Sequence, residues 1–104
     1  MAQFDVHRNA SKKTSAEFPY LLEVQSDLFS DSTRVVVVPL VYVSTLCNKD
    51  ATLNPEFDVE ESTVALFPLD IASMNIKVLG TKIANIGEDS DRIVAALDLL
   101  LARF

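Results

Sequence analysis

The last eighteen residues, Gly87 to Phe104, hold the only periodic signal long enough for a substantial helix. Projected at about 100° per residue, Ile93, Val94, Leu97, Leu100, Leu101 and Phe104 fall within an arc of roughly 120°, the width of a core-facing stripe. Such a stripe has to be covered, so the rest of the chain must supply a surface for it. Gly87 is placed to act as N-cap, and Glu88, Asp89 and Asp91 put negative charge beside the free N–H groups of the first turn. Arg103 provides the complementary charge at the other end. The opposite face carries Ala95, Asp98, Leu99 and Ala102. An apolar leucine among small residues there makes it the face a partner could read.

At 104 residues the chain is expected to form one domain, residues 1–104, burying roughly two thirds of the surface of its unfolded form. It needs no disulfide at that size, and the single Cys47 could not form one within the chain. Nine basic against fifteen acidic residues give a net charge of -6. That charge repels phosphate backbones and favours a basic partner over direct nucleic-acid binding. The opening residues have no basic stretch followed by an apolar one, and the weakly charged run Val35 to Asn48 is too short to span a bilayer. A cytoplasmic protein is the expectation.

Before the helix the chain reads as strands. Gln3 to His7 alternates, with Phe4 and Val6 on one face and Gln3, Asp5 and His7 on the other. Asn9 to Glu17 is small and polar, an exposed loop. Phe18 to Gln25 reads as a second strand with Pro19 near its start, and Ser26 to Thr33 as a turn. The β-branched run in Arg34 to Leu40 suits a central strand covered on both faces. Val41 to Asn54 is ambiguous. Glu56 to Val59 and Thr63 to Phe67 form a hairpin around Glu60, Glu61 and Ser62; Asn75 to Leu79 is a last short strand, and Ile83 to Ile86 leads into the helix. Six or seven strands and one helix make an antiparallel barrel or sandwich with a terminal helix packed on it.

No catalytic constellation stands out. His7, the only histidine, has no second His, Cys or carboxylate at metal-ligand spacing, so a surface or sheet-edge role is expected. Cys47 has only Lys49 as a basic neighbour and reads as an ordinary thiol. Asp58, Glu60 and Glu61 read as a solvated hairpin tip, and Asp89, Ser90 and Asp91 as helix capping. No metal or other cofactor is implied.

Val24-Gln25-Ser26-Asp27-Leu28-Phe29, followed by Arg34 and Val37-Val38-Pro39-Leu40, resembles the CcdB family of plasmid and chromosomal toxins. Phe4 and Val6, Asp70-Ile71-Ala72-Ser73, Val78-Leu79-Gly80 and Ile93 to Leu100 match in the same order. The resemblance implies a mainly β fold, an SH3-like small barrel of antiparallel strands with a main sheet, a smaller sheet and one C-terminal helix. It implies a homodimer and no enzymatic activity. Members bind the DNA gyrase A subunit, trap the complex gyrase forms with cleaved DNA, and are neutralised by the antitoxin CcdA. Gyrase contacts then fall on Leu28, Phe29, Asp98, Leu101, Ala102, Arg103 and Phe104. Antitoxin contacts fall on Arg8, Asn9, Ser11, Lys12 and Lys13 and on the turn Cys47, Asn48 and Lys49.

The sequence departs from the family at the tail. Trp-Gly-Ile ends the family's helix, preceded by an Asn about one turn earlier; here the positions read Ala102, Arg103 and Phe104, with Asp98 for the Asn. Losing a buried aromatic anchor typically costs about 2 kcal/mol or more, roughly thirtyfold in affinity. Phe104 lies about 200° around a regular helix from Ala102 and replaces the tryptophan only if the last turn unwinds. Asn75 stands where the family commonly has proline. Beside a gyrase-directed toxin stand two alternatives: a non-toxic or attenuated relative that keeps antitoxin binding, and an endoribonuclease of the MazF type. Against the last stands the acidic net charge.

Overall fold

The run Arg-Val-Val-Val-Val-Pro-Leu-Val-Tyr becomes the longest strand of the molecule and the one its other parts pair with. The computed structural model describes residues 2–46 and 49–102. In chain order the strands are β1 (Asp5–Asn9), β2 (Tyr20–Glu23), β3 (Arg34–Tyr42), β4 (Glu56–Val59), β5 (Ser62–Leu66), β6 (Ala72–Asn75) and β7 (Leu79–Asn85), followed by α1 (Ser90–Leu101). They form one antiparallel sheet in the order β4-β5-β3-β2-β1-β7, with β6 also paired to β3. The sheet curls into a small SH3-like barrel with a single C-terminal helix.

Pro39 explains how one strand serves two partners along one edge. On that edge β6 pairs with Arg34 to Val37 and β5 with Leu40 to Tyr42. Pro39 sits in the gap between them, and its carbonyl accepts the Phe67 N–H at 2.9 Å. N–H and C=O of one strand residue point to the same side. The missing N–H of Pro39 therefore faces the gap, and a proline is tolerated inside a central strand without loss of a ladder bond.

Both faces of β3 are buried, as its β-branched run predicts. One face carries Val38 and Leu40 into the main core with Phe4, Val6, Tyr20, Leu22, Phe57, Val59, Val64, Leu66, Ile93 and Ala96. The other carries Val35 and Val37 into a smaller cluster with Leu21, covered by Met74, Ile76 and Leu79. Phe4 joins the main core at a φ of 70°, an unusual backbone region for an aromatic residue. Hydrogen bonds from Phe4 N–H to Glu23 and from Ile86 N–H to Phe4 hold it there.

Several boundaries differ from the sequence reading. The first strand runs Asp5–Asn9, not Gln3 to His7, and Asp5 and His7 of its polar face are buried, Asp5 accepting from Asn85 and His7 facing the Gly80 carbonyl of β7. The strand expected at Asn75 to Leu79 is interrupted by a 3-10 turn, Ile76–Val78, because the Asn75 side chain accepts the Lys77 N–H at 2.9 Å. Asn75 thus builds a local cap. Ile83 to Ile86 is no mere lead-in, since β7 continues to Asn85 along β1.

The helix differs most. A 3-10 turn, Gly87–Asp89, precedes it, and Asp89 takes the N-cap position with no side-chain bond. Gly87 is therefore not the cap of α1; its own N–H is received by Asn85 Oδ1 at 2.9 Å. Ile86 is pinned to Phe4, so the chain tightens before the helix begins. Ile93 and Ala96 are fully buried and Leu97 and Leu100 half-buried, while Val94 and Leu101 of the expected stripe are exposed. The contact seam is rotated by roughly 50° from the centre of the apolar stripe. Arg92 supplies the reason: its guanidinium donates to the Glu56 carbonyl at 2.6 Å and stacks 4.6 Å from the centroid of Phe57, drawing its side of the helix onto β4.

Candidate functional site

The rotation of α1 leaves an uncovered apolar edge. Val94 and Leu101 lie on it, with Asp98 exposed between them and Leu99 further round. Leu101 is 75% exposed, in a position where burial would be favourable by about 1.5–3 kcal/mol. Ala102 follows in extended conformation and is exposed. Arg103 and Phe104 lie outside the described residues.

A second apolar outcrop follows β2. Ser26 caps a one-turn 3-10 helix, Asp27–Phe29, by accepting the Leu28 N–H at 3.2 Å. Asp27 Oδ1 accepts the Gln3 N–H at 2.8 Å, and Gln25 Nε2 donates to the Phe29 carbonyl at 3.1 Å. The turn is held by polar residues while its apolar side chains point outward: Leu28 is 88% and Phe29 61% exposed. Two large apolar side chains displayed by a built turn are a feature of recognition surfaces.

The residues expected for antitoxin contact are spread over different environments. Arg8 is paired with Glu60 of the β4–β5 hairpin, and Tyr20 Oη donates to the same carboxylate at 3.0 Å. The tip is thus tied to β1 and β2 as well as solvated, with Glu60 and Glu61 at φ of 48° and 67°, the region a tight two-residue hairpin turn needs. Burial and the Glu60 carboxylate push the Tyr20 phenol up to about 12. Asn9 organises its loop, donating to Thr14 Oγ1 and the Phe18 carbonyl and accepting the Ser11 N–H. Asn9 and Ser11 border a cleft of about 470 Å³ floored by Leu21, Met74 and Leu79. Lys12 and Lys13 are exposed beside it. Lys49 lines a different, smaller hollow with Asn54, Glu56 and Arg92, and is ion-paired with Glu56. Cys47 and Asn48 lie outside the described residues.

His7 overturns its sequence reading. It is 4% exposed, as is Glu23, and Asp5 is buried with them. One ligand atom from each of the three lies within 4.8 Å of the others, a constellation formed across the β1–β2 register. His7 Nδ1 is 3.2 Å from the Gly80 carbonyl, and Nε2 faces Glu23 Oε1 at 3.5 Å. Neither of those facing atoms has a hydrogen-bond partner among the described residues. Burial pushes the Glu23 carboxyl up. Burial acts on Asp5 too, but hydrogen bonds from Asn85 and the Ala2 N–H, with Lys82 nearby, hold its carboxyl below the usual range. Spacing along the chain could not reveal this group; the polar residues at alternate positions of two neighbouring strands were the available signal.

With this geometry in place, comparison with known families is decisive. The model of the CcdB protein family matches residues 3–102. This chain belongs to the CcdB family. The match spans every strand and the whole of α1, so both apolar outcrops and the buried His7 group lie within the family fold. None of the described helices is long and apolar enough to cross a membrane.

Proposed function

We propose that this CcdB-family chain is the toxin of a type II toxin-antitoxin module, acting in the cytoplasm as a homodimer. It binds the DNA gyrase A subunit, traps gyrase on cleaved DNA without catalysing a reaction itself, and is neutralised by a CcdA-like antitoxin. The observation that carries the reading is the exposure of Leu28, Phe29 and Leu101, apolar side chains that the core leaves out and that stand at the positions the family resemblance assigns to gyrase. A dimer presents each outcrop twice, so modest contacts on a two-fold symmetric target reinforce one another. A disordered antitoxin segment folding over the acidic surface accounts for neutralisation.

A second reading is favoured by one observation. Asp98 on the helix and Ala102 just after it are exposed, at the positions where the family resemblance has Asn and Trp, so the aromatic anchor is missing there. On this reading the protein binds antitoxin and poisons gyrase weakly or not at all. Induced expression together with a gyrase cleavage assay separates the two. Ala102→Trp with Arg103→Gly should strengthen poisoning at least tenfold if the tail is a weakened version of the family's. Normal growth, no trapped cleavage complex and no response to that double substitution would refute gyrase as the target.

A further inference from the structure

The buried Asp5, His7 and Glu23 group has a geometry that a shared proton does not account for. A hydrogen bond between an imidazole nitrogen and a carboxylate closes to about 2.7–3.2 Å, whereas His7 Nε2 and Glu23 Oε1 face each other at 3.5 Å and neither has a closer partner among the described residues. Two ligands on one tetrahedral zinc, each at about 2.0–2.2 Å, are separated by about 3.3–3.6 Å. The imidazole is also oriented as a metal ligand is. Its Nδ1–H is directed at the Gly80 carbonyl at 3.2 Å, which fixes the tautomer and turns the Nε2 lone pair inward. Two carboxyl groups and this lone pair then converge in a buried space, with the half-exposed Lys82 ammonium 3.3 Å from Asp5 Oδ1 at its edge.

From this convergence we propose that Asp5, His7 and Glu23 form a binding site for one divalent cation of the zinc class. His7 Nε2 and Glu23 Oε1 hold the ion, and Asp5 completes the set by exchanging the Lys82 ammonium for it. The three ligands come from β1 and β2, so the ion ties the start of the chain to the strand beside it. Two neutral or anionic oxygen donors and one imidazole suit zinc, manganese or iron better than the soft copper(I) ion. The proposal does not depend on the toxin reading.

The test uses the full chain carrying Cys47→Ser, so that the thiol cannot compete, stripped with a chelator and titrated with Zn²⁺. Calorimetry should give one ion per chain, with a rise in melting temperature that grows with free zinc. In a ¹⁵N-histidine spectrum the His7 Nε2 resonance should move on zinc addition while Nδ1 stays protonated. His7→Gln and Glu23→Gln should each weaken binding by about a hundredfold or more, and Lys82→Met should tighten it. If the ligand variants do not fold, the histidine spectrum and Lys82→Met decide. Absence of binding, an unmoved Nε2 resonance, or affinity unchanged in a folded His7→Gln or Glu23→Gln variant would overturn the assignment.

Discussion

Gly80→Ala is the substitution that most directly tests how the β1–β7 pairing is built. A Cβ placed on Gly80 would lie 2.2 Å from the Arg8 carbonyl oxygen and 2.9 Å from its carbon. These are backbone atoms, so no rotamer change relieves the overlap, and β7 must retreat from β1 by about 1 Å to restore a carbon–oxygen contact of about 3.3 Å. The retreat carries the Gly80 carbonyl away from His7 Nδ1, now 3.2 Å distant, and stretches the pairings His7 with Lys82 and Asn9 with Leu79 on either side. Two ladder bonds at about 1 kcal/mol each, and a buried imidazole N–H left without an acceptor at about 1–3 kcal/mol, sum to about 3–5 kcal/mol. That is a large share of the 5–15 kcal/mol typical of a whole domain. Urea unfolding followed by circular dichroism should show a midpoint lowered by about 2 M with little change in slope, taking a slope of about 2 kcal/mol/M. A loss below about 1 kcal/mol would mean that the two strands can separate here at little cost, and the account of the close approach would be wrong.

The pH dependence of Tyr20 has a definite sign. Its phenol is pushed up to about 12 from the ordinary 10, so the fold favours the neutral form; its stabilising contribution is complete below about pH 10 and is lost as pH rises toward 12. Phenolate absorbance should therefore show a tyrosine titrating near 12 that Tyr20→Phe removes and Glu60→Gln moves down; titration near 10 in the wild type would refute the Tyr20–Glu60 bond. On the helix, Ile93→Ala should cost about 2–5 kcal/mol in urea unfolding and Leu101→Ala less than about 1 kcal/mol. Equal losses would contradict the rotated contact seam.

What the sequence revealed and what it hid divide along a physical line. The β-branched run of β3 and the hairpin flanking Glu60 and Glu61 are local patterns, and both were legible before any coordinates. The burial of Asp5 and His7 was not, because alternation identifies two faces but not what covers the polar one. Here the partners that enclose it include Gly80, Lys82 and Asn85 of β7, more than seventy residues away. The helix was legible as an element but not in its rotation, which depends on Arg92 finding the Glu56 carbonyl and the Phe57 ring. For the proposed target site, the exposed positions of Leu28 and Phe29 could be anticipated from the motif after β2, but the turn that displays them depends on the Gln3 backbone N–H donating to Asp27 and the Gln25 side chain donating to the Phe29 carbonyl.

The narrow seam by which α1 is held has an evolutionary consequence. Ile93 and Ala96, with Leu97 and Leu100 beside them, keep the helix docked, while Val94, Asp98, Leu101 and Ala102 contribute little to folding. Selection can therefore rewrite the outward half of the helix freely: a lineage can abandon one target, drift, and acquire another without ever passing through an unfolded intermediate sequence. The same freedom makes the exposed face of this helix a place to install new recognition by design.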